Sequence, residues 1–221
     1  MRDSIRDDKA AGEGVGGVTL WPHTGALLVG GKSRRMGEPK AAVTLSNGEI
    51  MGERIASLLA RLCREVVLVG SGEHLPPGLE HLPLLSDRWE MCGPLGGLEA
   101  LLASGRDDKY LVLPCDLPLL PLPLLRSLVR PTDAAPALFS LPGAKRPEPF
   151  PLLIPSGAHP RLLEELRAGR RSARAFLESL SPRLVNAPAG TDSCFESLNS
   201  LEQIRDPGLA DRLSRASGGV T

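Results

Sequence analysis

The sequence predicts an α/β fold built around a mostly parallel sheet. From Gly25 onward, short apolar runs that suit buried strands alternate with amphipathic segments, and this alternation is typical of βα units. The segment YLVLPCD at 110–116 is apolar on both faces, which predicts a strand at the centre of the sheet. The 221 residues are enough to bury one sizeable core. We therefore expect a single globular domain.

The elements follow in order along the chain. Apolar runs predict strands at 26–30, 65–70, 81–87, 110–116, 135–140 and 148–155. The prolines of the last run, EPFPLLIP, push it toward a sheet edge or a bend. Helical spacing of apolar residues predicts helices near 51–62, 92–104, 158–168 and 172–180. A short helix is expected at Pro123, and a final helix is expected after a cap at Asn199 or Ser200.

Composition limits the kinds of partner. The 26 basic and 26 acidic residues cancel, so no long-range field favours nucleic acid or a membrane surface. The four cysteines show no CxxC pair and no histidine at metal-ligand spacing, which indicates reduced, mostly buried thiols. Without a signal-peptide or membrane-span pattern, a cytoplasmic protein is expected. We expect a disordered tail at 1–22, the domain at 23–206 and a C-terminal tail at 207–221.

The string GGKS at 30–33 invites comparison with a P-loop. A P-loop requires GxxxxGK(S/T), but the position of its first glycine is held by Ala26, and strand residues follow where a loop should be. GxGxxG also fails, since Gly30 and Gly31 are adjacent. Adjacent glycines that end a strand instead let backbone amides approach a ligand, and nearby cations would favour phosphate. A solvated basic turn is the competing interpretation. The cations are Lys32, Arg34, Arg35 and Lys40.

The string LLVGGKSRRMGEPKA resembles the nucleotidyltransferase signature of the molybdenum cofactor guanylyltransferases, Leu-Ala-Gly-Gly followed by Arg-Met-Gly and Asp-Lys. SDRWEMCGPLGGLEALL is similar to that family's aspartate followed by Gly-Pro-Leu-Ala-Gly, and LVLPCDLPLL is similar to its Cys-Asp-x-Pro element. EPFPLLIP, GRRSARAFL and FESLNSLEQI match the later blocks in order, so the resemblance covers residues 25 to about 205. It implies a three-layer α/β/α, Rossmann-like nucleotidyltransferase fold of the nucleotide-diphospho-sugar transferase type.

The resemblance also implies a reaction. It is the transfer of GMP from GTP to molybdenum-molybdopterin with Mg²⁺, which releases pyrophosphate and forms the guanine dinucleotide cofactor. A molybdenum-insertion protein and recipient molybdoenzymes are the implied protein partners. The alternatives are cytidylyl transfer to molybdopterin, nucleotide transfer to a sugar phosphate or a phospholactate-like acceptor, a non-catalytic nucleotide-binding module, and a P-loop kinase.

Lys40 and Asp116 are the predicted catalytic pair. Asp116 ends the central strand, where a carboxylate can bind Mg²⁺, although DLPLLP would also suit an aspartate that caps the turn. Lys40 is expected to neutralise charge that develops at the α-phosphate. Gly93 is expected to let the base approach the backbone, or simply to start a helix. The resemblance assigns the nucleotide to Leu28, Val29, Gly30, Gly31, Lys32, Arg34, Arg35, Lys40, Asp87, Gly93 and Asp116.

Two residues of the later blocks are assigned to the acceptor. Arg171 lies where the resembling proteins meet the phosphate side of the pterin, although an exposed basic helix face would also explain it, and Asn199 matches a late asparagine. Three positions depart from the family pattern. Val29 replaces alanine and is expected to crowd the base, Pro39 replaces the aspartate before the lysine, and Ser197 replaces the first late asparagine. They bear on the choice of base and acceptor. The histidines have no acid or nucleophile beside them and are assigned no role.

Overall fold

The computed structural model describes residues 20–30, 38–72, 74–129 and 135–218. Within these ranges seven strands form one sheet in the order β3-β2-β1-β4-β6-β5-β7. Only β6 runs antiparallel to its neighbours among the described strands. The mostly parallel sheet is therefore confirmed. The strands are β1 (Trp21–Leu28), β2 (Cys63–Val69), β3 (Leu84–Leu85), β4 (Lys109–Pro114), β5 (Ala137–Ser140), β6 (Glu148–Pro155) and β7 (Arg183–Asn186).

Six of the helices in the described part of the chain lie where the sequence predicts them, and α7 (Leu209–Ser217) was not predicted. No helix in the described part of the chain is long and apolar enough to cross a lipid bilayer. The edge strand β7, which has only four residues, was not predicted. The helices are α1 (Met51–Ala60), α2 (Pro94–Ala103), α3 (Leu122–Leu128), α4 (His159–Arg167), α5 (Ala173–Ser179), α6 (Leu201–Arg205) and α7 (Leu209–Ser217).

The central strand β4 shows how the three layers form. Because side chains alternate across a strand, Leu111 and Leu113 join a buried cluster with α1 and α3. Tyr110 and Val112 point to the opposite face and join a cluster with α2, α4 and α5. All four side chains are fully buried. The predicted three-layer arrangement, with this strand at its centre, is confirmed.

Strand β6 contradicts the prediction of an edge strand. It lies inside the sheet, between β4 and β5. Its last four residues, from Leu152, pair regularly with β4. On the β5 side the register shifts between Leu138 and Phe139, so Pro149 and Pro151 fall in an irregular stretch where a missing N–H donor costs little. The predicted edge position is wrong, and this irregularity agrees with the alternative, a bend.

The C-terminal boundary also differs from the prediction. Residues 209–217 form α7 instead of a tail, and Leu209 and Leu213 are fully buried. They join a third cluster with Val43, Met51 and Leu198. Two leucines in nine residues are too weak a pattern to predict a helix, because tertiary contacts supply most of its stability. At the other end, β1 already begins at Trp21, and residues 1–19 lie outside the described ranges.

The predicted state of the cysteines is confirmed. All four are free thiols, of which Cys63, Cys92 and Cys115 are buried. Burial raises the pKa of the Cys63 and Cys115 thiols to about 12. Both thiols are therefore protonated and unreactive at neutral pH.

Candidate active site

A cavity of about 520 Å³ opens at one edge of the sheet. The carboxyl ends of the parallel strands β1, β2 and β4 meet there, which is where open α/β sheets bind ligands. Because β6 is antiparallel, its first residues reach the same edge. The strand order therefore gives the cavity a β2 flank and a β6 flank, with the end of β4 between them.

Lys40 and Asp116 meet at this cavity. Lys40 Nζ donates a hydrogen bond of 2.7 Å to Asp116 Oδ2. The two side chains are only 20% and 17% exposed, so the ion pair is partly shielded from water and stronger than a surface pair. Lys40 begins a single 3-10 turn that follows Pro39, and Asp116 follows the end of β4. The predicted catalytic pair is thus brought together, with Asp116 paired to Lys40.

Asn199 supplies a second acceptor to the same lysine. Its side-chain oxygen accepts a hydrogen bond from Lys40 Nζ. Of the two predicted helix caps, Ser200 is the one used, and it forms a capping box with Gln203 at the start of α6. Because Ser200 caps the helix, the Asn199 side chain can reach Lys40. Asn199 therefore contacts the catalytic pair.

Leu28 and Gly30 line the cavity, and Val29 does not. The Val29 side chain packs in the α1 and α3 layer and is 8% exposed. The Val29 side chain therefore does not reach the cavity, and its effect on the base stays a prediction. Gly30 packs closely against Gly70 at the end of β2, since a Cβ on Gly70 would lie 2.6 Å from the Gly30 nitrogen. Only glycine fits at position 70, as the φ of 137° at Gly70 also indicates.

Asp87 and Gly93 line the β2 flank. The cavity walls partly bury the Asp87 carboxyl, which raises its pKa. Gly93 has a φ of 55° and is the N-cap of α2, with Pro94 as the first helical residue. Gly93 therefore starts the helix and also lines the cavity, and its contact with the base stays a prediction. Gly97, in the first turn of α2, lies against the Asp87 carboxylate, since a Cβ on it would be 3.4 Å from Asp87 Oδ1.

The sequence profile of a known family covers most of this architecture. The family is described as the MobA-like NTP transferase domain, and its profile matches residues 25–184. The chain belongs to this family. The matched range contains the strand ends that meet at the cavity and both members of the Lys40–Asp116 pair.

Curated relatives of this MobA-like domain carry related names. The bifunctional molybdenum cofactor biosynthesis protein of Synechocystis is 39% identical over 47% of this chain, and the match spans 30% of that protein. The probable molybdenum cofactor guanylyltransferase of Carboxydothermus hydrogenoformans is 36% identical over 50% of this chain and 54% of its own length. The molybdenum cofactor guanylyltransferase of Xanthomonas euvesicatoria is 32% identical over 82% of this chain and 92% of its own length.

Solved structures of low identity share the fold of the MobA-like domain. Molybdopterin-guanine dinucleotide biosynthesis protein A from Archaeoglobus fulgidus is 21% identical with a TM-score of 0.62, covering 88% of this chain and 96% of its own. A nucleotidyl transferase from Methanothermobacter is 15% identical with a TM-score of 0.68, and the match covers 89% of this chain and 99% of its own. The 2-C-methyl-D-erythritol 4-phosphate cytidylyltransferase of Thermus thermophilus is 16% identical with a TM-score of 0.62, and the match covers 86% of this chain and 98% of its own. The nucleotidyltransferase fold is therefore confirmed.

Arg171 is a predicted site residue of the MobA-like domain that is not brought to the cavity. Gly31, Lys32, Arg34 and Arg35 lie outside the described residues. Arg171 is exposed, and its guanidinium donates to the carbonyl oxygens of Leu166 at 2.8 Å and Arg170 at 3.2 Å. It is not among the described residues that line the cavity. Its contacts are those of a cation at the end of α4, which agrees with the exposed-face interpretation.

Other cavity residues were missed. Glu148 and Phe150 line the β6 flank, together with Phe195 from the loop before α6. EPFPLLIP contains two of these residues, but the sequence does not reveal that its strand runs antiparallel and brings its beginning to the site. Ser197, one of the three departures, also lines the cavity. Its shorter side chain leaves more room than an asparagine would.

Two histidines have acidic partners, contrary to expectation. His23 Nδ1 lies 2.6 Å from Asp107 Oδ1, and His159 Nε2 lies 3.0 Å from the buried Glu99. Neither histidine lines the cavity in the described part of the chain. Burial alone would raise the pKa of Glu99, but its hydrogen bonds from Arg88 and His159 lower it overall. Glu99 thus connects two elements, the loop after β3 through Arg88 and helix α4 through His159.

Proposed function

We propose that this MobA-like NTP transferase transfers GMP from GTP to molybdenum-molybdopterin, with release of pyrophosphate and formation of the guanine dinucleotide cofactor. The observation that carries the proposal is the Lys40–Asp116 contact of 2.7 Å at the strand ends that form the cavity. The names of the relatives support the choice of GTP and molybdopterin. The cytoplasm, a molybdenum-insertion protein and recipient molybdoenzymes are the expected setting and partners.

The reaction needs little covalent chemistry from the protein. A terminal phosphate oxygen of the acceptor attacks the α-phosphorus of GTP, a new P–O bond forms, and the bond to the bridging oxygen breaks as pyrophosphate leaves. The attacking oxygen is already anionic, so no enzyme nucleophile is required. Catalysis then depends on positioning and on neutralising charge. Lys40 would neutralise charge at the α-phosphate.

Asp116 has the chemical character of a Mg²⁺ ligand. Within the described ranges no cluster of three or more His, Cys, Asp or Glu side chains could hold a metal ion. Mg²⁺ commonly needs only one or two carboxylates, because phosphate oxygens and water complete its coordination. Asp116 would provide that carboxylate, and the ion would neutralise phosphate charge when bound.

The remaining nucleotide assignments belong to the same proposal. The base and ribose would lie along the β2 flank, against Leu28, Gly30 and Gly93, with Asp87 as a hydrogen-bond acceptor. Asn199 would hold Lys40 and meet the acceptor beside it. The triphosphate would be bound by the backbone and cations of the first motif, Val29, Gly31, Lys32, Arg34 and Arg35.

The deciding experiment incubates the enzyme and molybdopterin with each of the four NTPs and measures pyrophosphate. GTP should give pyrophosphate and the dinucleotide product. Pyrophosphate from CTP alone would establish the cytidylyl alternative, and formation of GDP would establish γ-phosphate transfer. GTP binding without pyrophosphate from any acceptor would establish the non-catalytic module.

Variants of the catalytic pair test the mechanism. Asp116→Asn should abolish Mg²⁺-dependent turnover, since the amide carries no charge to bind the ion, and Lys40→Ala should lower kcat by about 10²- to 10³-fold. Exposed residues on α7 and α3 provide the matched controls Asp211→Asn and Arg126→Ala, which should behave as wild type. Unchanged turnover in Asp116→Asn with an intact circular dichroism spectrum would remove this carboxylate from the mechanism.

A further inference from the structure

The cavity contains a third carboxylate, besides Asp116 and Asp87, that the proposed reaction does not use. Glu148 is the first residue of β6 and lines the cavity. Asp87 lines it from the other side, after β3. In the order β3-β2-β1-β4-β6, Asp116 at the end of β4 lies between the two. The site therefore has one carboxylate on each flank of the reacting centre.

The Glu148 carboxylate can still accept hydrogen bonds from a ligand. Its side chain is 30% exposed, and its Oε2 lies 3.9 Å from Arg174 Nη2, which is longer than a hydrogen bond. Arg174 Nη1 instead donates to the Pro147 carbonyl oxygen at 2.8 Å. This bond fixes the guanidinium beside Glu148. A carboxylate has about four lone-pair sites, so its capacity to accept hydrogen bonds is not exhausted.

The surroundings of Glu148 suit a flat ring. Phe150 follows two positions later in β6 and lines the same flank, as does Phe195. Phe195 is held in place by an edge-to-face contact with Phe139, with ring centroids 5.2 Å apart. Apolar rings with one carboxylate at the margin are the surroundings that a fused heterocycle with hydrogen-bond donors on one edge requires.

We propose that Glu148 recognises the acceptor through the amino and ring N–H groups on the edge of its pterin. These two donors lie side by side and match the two oxygens of a carboxylate, as in other paired hydrogen bonds to carboxylates. The inference rests on the proposed function, which places molybdopterin on the flank that the nucleotide does not fill. Guanine carries a similar edge, so the test must separate the two rings.

The first test compares two small ligands that differ on this edge. Pterin has a 2-amino group, and lumazine has a 2-oxo group in its place. Fluorescence titration of the wild-type protein should give a Kd for pterin about 10- to 100-fold lower than for lumazine, as expected for one or two hydrogen bonds to a charged group. In Glu148→Gln, which keeps the shape, the preference should disappear. The control Glu178→Gln, on α5 with its carboxylate 4.0 Å from Arg146, should retain it.

The second test asks which ring Glu148 contacts. The ratio of kcat/KM for GTP to that for ITP, which lacks the 2-amino group, should be the same in wild type and Glu148→Gln. A changed ratio would show that Glu148 binds guanine and would overturn the inference. Equal pterin and lumazine affinities in the wild type, or a preference that survives Glu148→Gln, would overturn it as well. These ligand titrations do not depend on turnover, whereas the proposed function fails separately if no NTP gives pyrophosphate.

Discussion

The backbone amide of Leu198 donates a hydrogen bond of 2.9 Å to the carbonyl oxygen of Asp116. It joins the loop that carries Asn199 to the strand end that carries the carboxylate of the proposed catalytic pair. The next residue, Asn199, accepts from Lys40, which is 159 positions away in the chain. Lys40 in turn donates to Asp116. The three side chains therefore form one unit whose geometry depends on the loop before α6.

Asn199→Ala should lower kcat by about tenfold or more with little change in KM for GTP. The variant removes one of the two acceptors that orient the ammonium, and a hydrogen bond to a charged group contributes about 1.5–3 kcal/mol. Steady-state pyrophosphate release measures both constants. Asn186→Ala, at the exposed end of β7, is the control and should match wild type. A rise in KM alone would make Asn199 a binding residue.

Gly96→Ala should weaken GTP binding by displacing the loop that carries Asp87. A Cβ on Gly96 would lie 2.8 Å from the Trp89 carbonyl oxygen and 3.6 Å from Asp87 Oδ2. The first distance is a clash with backbone, so the loop must move. We expect KM for GTP to rise by about tenfold, which corresponds to about 1.4 kcal/mol. Gly157→Ala is the control, because a Cβ at this position has open space around it, and it should match wild type. Unchanged kinetics in Gly96→Ala as well would contradict this account.

Arg54→Met should destabilise the fold through the C-terminal helix. The Arg54 side chain is 5% exposed. It donates to the Pro118 carbonyl oxygen at 2.7 Å and to the Leu213 carbonyl oxygen at 2.9 Å, and it also pairs with Glu49. Methionine would leave the Pro118 carbonyl oxygen without this donor, at a cost of about 1–3 kcal/mol. The Leu213 carbonyl oxygen would lose one donor and keep the hydrogen bond of 3.1 Å from Ser217 Oγ.

Calorimetry of Arg54→Met should show Tm lowered by several degrees, given about 2–4 °C per kcal/mol for a domain of this size. Arg61→Met, at the exposed end of α1, should leave Tm unchanged. Because Pro118 lies two positions beyond Asp116, kcat should also fall. Equal Tm values in the two variants would show that the buried contacts contribute no stability.

The meeting of Lys40 and Asp116 could be predicted from the sequence because it follows from local signals. Apolar runs identify the strands, and the carboxyl ends of parallel strands meet at one edge. Asp116 stands at such an end, and Lys40 follows another. The β1, β2 and β4 strands and the helices between them were predictable for the same reason, since each carries its own hydrophobic period.

Other features depend on contacts that no local pattern records. The direction of β6 decides that Glu148 reaches the cavity, yet a strand has the same pattern in either direction. Helix α7 has only Leu209 and Leu213 as an apolar face, so only the structure reveals that it packs against the third cluster. Glu99 and His159 are 60 positions apart, and only the packing of α2 on α4 joins them.

The raised pKa of Asp87 predicts opposite effects of one substitution on binding and stability. Partial burial raises the pKa of this carboxyl in the folded state above its ordinary value. Between the two pKa values the folded protein binds more protons than the unfolded chain, so the free energy of unfolding rises as pH falls through the folded pKa. At pH 7 the ionised Asp87 therefore lowers the stability of the fold.

Asp87→Asn should raise Tm slightly at pH 7, because it removes the partly desolvated charge. The gain over wild type should shrink at an acidic pH below the raised pKa of Asp87, where the wild-type carboxyl is protonated. KM for GTP should rise by about tenfold or more at pH 7, since the amide is a weaker acceptor than a carboxylate. Calorimetry at the two pH values and pyrophosphate kinetics measure these changes, with Asp211→Asn as the control. A Tm that falls equally at both pH values would show that Asp87 stabilises the fold and would contradict the stability argument, and an unchanged KM for GTP would contradict its role in nucleotide binding.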